Sequence, residues 1–168
     1  MFENDLGQPL AFSTLPGRTH NGRNTFWIMA DQMIHRNGPN NNQGVIVVGS
    51  FAHSDADTQV NSNTAFLAIG DTGFYPGRPQ DAVTLSASWF GISDRLHKLQ
   101  TIDASSGLPI ANGSLGPQKS EYVFEADYSY LVSPGVILEP AVQYFIHPNA
   151  DRRVKDALVF AGRLQINF

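Results

Sequence analysis

From residue 120 to 132 the chain alternates. Tyr122, Phe124, Ala126, Tyr128, Tyr130 and Val132 fall on one side of an extended backbone, and Glu121, Val123, Glu125, Asp127, Ser129 and Leu131 on the other. Successive side chains of a strand point to opposite faces, so this segment presents one apolar and one polar face. The period recurs at 82–92, where Val83, Leu85, Ala87 and Trp89 oppose Thr84, Ser86 and Ser88. At 136–146, Val136, Leu138, Pro140, Val142, Tyr144 and Ile146 oppose Glu139, Ala141, Gln143 and Phe145. Residues 156–168 set Leu158, Phe160, Gly162, Leu164, Ile166 and Phe168 against Ala157, Val159, Ala161, Arg163, Gln165 and Asn167. Such patterning confines the chain to two-faced β-structure, and no amphipathic helix stands out. Pro140 removes a ladder donor and is read as a local defect in one strand pair.

Three earlier strands are less tidy and fall near 23–36, 43–54 and 59–70, separated by the turn-forming stretches NGPNNN and SDADT. Both faces of FWIMADQMIHR are largely apolar, and Asp31 is assigned to the polar, inward face. Residues 1–22 read as loop, and residues 23–168 as one run of strands. The segment 93–119, rich in Gly, Ser, Pro and charge, reads as a long loop of the kind that often carries function.

Seven strands of this length exceed the usual 5 or 6 residues of soluble sheets, whereas about 9–11 tilted residues cross a bilayer. Composition points the same way. Charged residues are 15% of the chain against a usual share of about 25%. A net charge of -4 argues against nucleic acid as a partner and against basic attraction to anionic lipid. The absence of cysteine excludes disulfides, thiolate catalysis and cysteine-ligated metals. No apolar run reaches the length of a transmembrane helix, which leaves a closed barrel as the way to span a membrane. The first ten residues, MFENDLGQPL, lack the features of a secretory signal, so an exported protein is expected to have a longer precursor.

Aromatic residues collect near strand ends, at Phe26 and Trp27, Trp89, Tyr122 and Phe124, Tyr128 and Tyr130, Tyr144 and Phe168. They match the two interfacial girdles of an outer-membrane barrel. With Phe168 at the periplasmic side, VSPG, DTGFYPGRPQD and NGPNNN become periplasmic turns, and 93–119 becomes the longest external loop.

Four stretches together resemble the carbohydrate-selective porin family of bacterial outer membranes, the OprB type. They are ADQMIHR at 30–36, FYPGRPQDAVTLSASW at 74–89, EADYSYLVSPGVILEPAVQYFIHP at 125–148, and DALVFAGRLQINF at 156–168. The resemblance implies an all-β, antiparallel transmembrane β-barrel of sixteen strands, of which this chain supplies about seven, the C-terminal part. It also implies a bacterial outer-membrane location, passive diffusion of carbohydrates through a polar lumen, and no enzymatic activity. Implied partners are outer-membrane lipid, carbohydrate solutes, the barrel assembly machinery, and either a missing N-terminal half or further copies. The resemblance further implies that Leu164, Ile166 and Phe168 form the terminal aromatic strand that such machinery recognises.

A diffusion pore needs side chains that exchange hydrogen bonds with hydroxyl groups, and no cofactor or metal. The pore-lining candidates are Asp31, Thr84, Ser86, Ser88, Glu121, Glu125, Asp127, Glu139, Gln143, Arg163 and Gln165. Carboxylates outnumber the single arginine, so this wall is expected to favour cations or neutral solutes. Glu125 and Asp127 could suggest a glycosidase pair, but nothing else signals catalysis. The five histidines lack metal-ligand spacing, and SDADT lacks the glycine turn and distal Glu of a calcium loop. Arg78, between two prolines, is read as part of a rigid turn. Two other readings are a soluble, lipocalin-like β-barrel binding module with its apolar faces inward, and a surface adhesin on a barrel anchor. No internal repeat supports the adhesin.

Overall fold

The structure, a computed structural model, describes residues 4, 6, 8, 10–38 and 42–167. It contains strands β1 (Thr25–Arg36), β2 (Gly44–Ser54), β3 (Asn61–Thr72), β4 (Ala82–Ile92), β5 (Ser120–Ser133), β6 (Val136–Ile146) and β7 (Ala157–Ile166). They form a seven-stranded antiparallel sheet in the order of the sequence, with β1 and β7 at its edges. Every strand lies within two or three residues of its sequence-based position. Among the described residues no helix is long and apolar enough to cross a membrane, while all seven strands, of 10 to 14 residues, are long enough to do so.

Register follows the alternation. Asp31, Val48, Ala68, Ser86, Glu125, Gln143 and Val159 succeed one another as cross-strand partners from β1 to β7, one row on one face. The adjacent row of the opposite face is Gln32, Val47, Ile69, Leu85, Ala126, Val142 and Phe160. Large side chains of that apolar face stand exposed, with Leu85 at 55%, Leu158 at 58% and Phe160 at 78%. At Pro140 the β5–β6 pairing breaks off at Asp127 opposite Ala141 and resumes at Tyr130 opposite Leu138 in unchanged register. The missing donor interrupts the ladder without shifting it.

Two expectations need correction. The segment 93–119 contains an α-helix, α1 (Asp94–Ser105), capped by Ser93, whose hydroxyl oxygen accepts from the backbone N–H groups of Arg95 and Leu96. Its buried side chains are Leu96, Leu99, Gln100 and Asp103, so half of the inner face is polar and the hydrophobic pattern is weak. Trp27, grouped with the girdle aromatics, pairs with Ala52, whose other partner is Thr64, and therefore lies on the polar face. Phe26, Trp89, Tyr122, Phe124, Tyr128, Tyr130 and Tyr144 share the apolar face.

Among the described residues near the N-terminus, Asn4 organises a turn. Asn4, fully buried, accepts at Oδ1 from the N–H groups of Leu6 and Gln8 and donates through Nδ2 to Gln8 and Ser13. A 3-10 turn at Leu10–Phe12 lies against α1.

Candidate functional site

All eleven predicted lining residues share the polar face of the sheet. Alternation accounts for this, since each occupies the parity of Ser86 and Glu125 in the common register. Several are joined. Gln143 donates to Glu125 across the β5–β6 pair. Glu139 accepts from the Ser129 hydroxyl at 2.7 Å and from Arg163 at 2.6 Å, which links β5, β6 and β7 in one polar chain. Thr84 faces Asp127, and Ser86 faces Glu125, across β4–β5. Asp31 stands apart on the edge strand β1, and Gln165 donates to Asn167 near the opposite edge.

Leu164 and Ile166 lie on the apolar face, opposite Leu138 and Val136, and both are exposed. Phe168 is outside the described residues.

The polar face also carries aromatic side chains that the candidate set omitted. Phe90 pairs with Thr64 and Glu121, and Phe66 with Ser50 and Ser88. The signal for Phe90 was available, because it continues the even-numbered series Thr84, Ser86, Ser88.

The two ends of the sheet differ. At one end the loops 55–60, 93–119 and 147–156 are tied together. Ser93 N donates to Val60 O, Ile92 N to Lys119 O, Lys119 N to Ala150 O, and Gln118 Nε2 to Asn149 O. Arg95 pairs with Asp57. Leu96, Ile92 and Ala150 form a small buried cluster beneath α1.

At the other end Asp81, 1% exposed, is surrounded by donors. Arg78 Nε and Nη2 reach its two oxygens at 2.8 and 3.0 Å, Tyr128 donates its hydroxyl at 2.6 Å, and Leu131 N donates at 3.1 Å. Arg78 also donates to Leu131 O and lies 3.9 Å over the Tyr130 ring. The hydrogen bonds from Arg78 hold the Asp81 carboxyl at about 2, against an ordinary value of 3.8, despite the opposing effect of burial. Arg78 is thereby occupied in bracing the β3–β4 turn against β5.

Comparison with known proteins places this geometry. The family model for the carbohydrate-selective porin, OprB family, matches residues 3–168. QuiX of Acinetobacter baylyi, a protein named as a porin, is 26% identical over 156 residues, covering 90% of this chain and 36% of the relative. Porin B of Pseudomonas aeruginosa is 23% identical over 165 residues, covering 96% and 36%. The chain thus spans about a third of the length of these curated relatives. The solved structure of Pseudomonas putida OprB at high pH superposes with a TM-score of 0.90 at 24% identity, over 99% of this chain and 40% of that one. That likeness shows the fold, an antiparallel sheet of the porin-barrel type, and nothing in these comparisons favours a soluble lipocalin-like module. The chain belongs to the carbohydrate-selective porin family, OprB, whose members are channels of the Gram-negative outer membrane and not enzymes.

Proposed function

We propose that the sheet is part of the wall of a water-filled barrel through which carbohydrates and other small polar solutes diffuse passively. The polar face turns to the lumen and the apolar face to lipid. The supporting observation is the segregation of the two faces. The chain Ser129–Glu139–Arg163 and the pair Glu125–Gln143 occupy one side, while exposed Leu85, Phe124, Leu158 and Phe160 occupy the other. A sugar passing such a wall exchanges hydrogen bonds with water for hydrogen bonds with these groups, at small net cost in either direction. Carboxylates predominate, so neutral and cationic solutes pass more readily than anions.

The edges β1 and β7 require partners in lipid, because unpaired backbone groups there cost several kcal/mol each. Further strands, from additional chain or from other copies, pair with them. Leu164, Ile166 and Phe168 act as the terminal recognition segment for the assembly machinery. Deleting Phe168 is expected to reduce insertion of the protein into the outer membrane, and unchanged insertion overturns that role.

Liposome swelling tests the pore. Vesicles containing the inserted protein should swell in isosmotic monosaccharide faster than protein-free vesicles, and more slowly as the solute grows. Absence of swelling, with insertion and closure of both sheet edges by further strands verified, removes the channel reading.

A further inference from the structure

The segregated faces do not say where along the wall a sugar pauses. One cavity of about 300 Å³ opens where β3, β4 and β5 reach the α1 end of the sheet. It is lined by Asn61, Phe90, Ile92, Gln118, Glu121 and Asn149, among others. Small-molecule sites range from about 300 to 1,000 Å³, so this one holds a single ring and not an oligosaccharide.

The lining divides into scaffold and open groups. Gln118, 1% exposed, has its carboxamide committed, donating to Asn149 O at 2.7 Å and accepting from Gln100 at 2.8 Å and Asn112 at 3.2 Å. Glu121 accepts the Asn149 N–H at Oε2, and its Oε1 has no partner among the described residues. The side-chain amides of Asn61 and Asn149 likewise bond to no other described residue. Phe90, beside Glu121 in the β4–β5 pairing, supplies the one aromatic ring among the described lining residues.

The backbone next to the cavity is strained. His147, Asn149 and Ala150 have φ of 53°, 59° and 57°, left-handed values that are uncommon outside glycine. Ala150 is held there by burial against Ile92 and Leu96 and by the N–H of Lys119. The surrounding packing over-determines the turn and keeps Asn149 at the rim.

We propose that this cavity is a monosaccharide subsite. A neutral pyranose rests its apolar face on Phe90 while its hydroxyls bond to Glu121 Oε1, Asn61 and Asn149. Among the described residues no cationic side chain lines the cavity, so an anionic ligand finds no counter-charge from them. The proposal deepens the sugar-pore reading and rests on it.

The full chain folded in detergent, dialysed to equilibrium against radiolabelled methyl glucoside, tests it. Saturable binding is expected, weakened about fivefold or more by Phe90→Ala and retained by Phe90→Tyr. Asn149→Gly removes one amide at a position where glycine accepts the backbone, and should also weaken binding. No saturable binding by folded wild-type chain, or equal binding by Phe90→Ala and Asn149→Gly, overturns the subsite. Liposome swelling runs in parallel. Swelling without binding removes the subsite and leaves the pore; binding without swelling does the reverse.

Discussion

Asp81 shows how one buried charge can tie together distant parts of the chain. Its partners Tyr128 and Leu131 are 47 and 50 residues away in sequence. Because Arg78 depresses its folded-state pKa, its contribution to stability is complete above the ordinary value of 3.8 and is lost as pH falls through about 2. Wild-type protein should therefore lose thermal stability across that window, as followed by the sheet circular-dichroism signal. Asp81→Asn should be less stable at neutral pH and show a flatter dependence below the ordinary carboxylate value. Gly135 presents a backbone constraint of a different kind. At φ 83° in the β5–β6 turn, an added Cβ would lie 2.8 Å from the carbonyl oxygen of Asn167. Gly135→Ala should cost about 1–2 kcal/mol from the left-handed backbone alone, seen as a lower midpoint of heat-induced unfolding in detergent.

At the scale of elements, α1 distinguishes this sheet from a plain strand meander. It is held by the Ser93 cap, by Leu96 against Ile92, and by the Gln100–Gln118 exchange, in which each side chain bonds to the other residue. Ser93→Ala removes the cap and should cost about 1 kcal/mol of local stability. Leu96→Ala empties a buried position and should cost about 2–3 kcal/mol. Hydrogen exchange is the measurement that checks both: amides of 94–105 should lose protection while those of β4 and β5 keep it. The helix was hard to read because Gln100 and Asp103 occupy its inner face. Their burial is satisfied by bonds to the chain's own loop, from Gln100 to Ala111 O and to Asp103 from Ala111 N, which no local pattern announces.

For the whole molecule, the decisive property is which face meets which medium. Leu85 and Ser86 are neighbours on β4, yet one belongs to the apolar face and the other to the polar face. Leu85→Arg should therefore oppose membrane insertion by about 2–4 kcal/mol near the bilayer midplane. Ser86→Arg should insert normally and change only solute passage. Flotation of variant protein with lipid vesicles separates the two, and equal behaviour would refute the assignment of the faces.

Alternation, with turn chemistry delimiting the first three strands, was enough to place seven strands and to sort Thr84, Ser86, Glu125, Glu139 and Arg163 onto one face, because a strand repeats every two residues and admits only two faces. It was weakest in β1, where apolar residues occupy both parities: placing Asp31 inward carries Trp27 to the same face, and the pairing with Ala52 settles it. It also could not bring Glu121 to Asn149 or Asp81 to Tyr128. Those contacts join segments far apart in sequence, and they form only once strand order and register have set the ends of the sheet side by side.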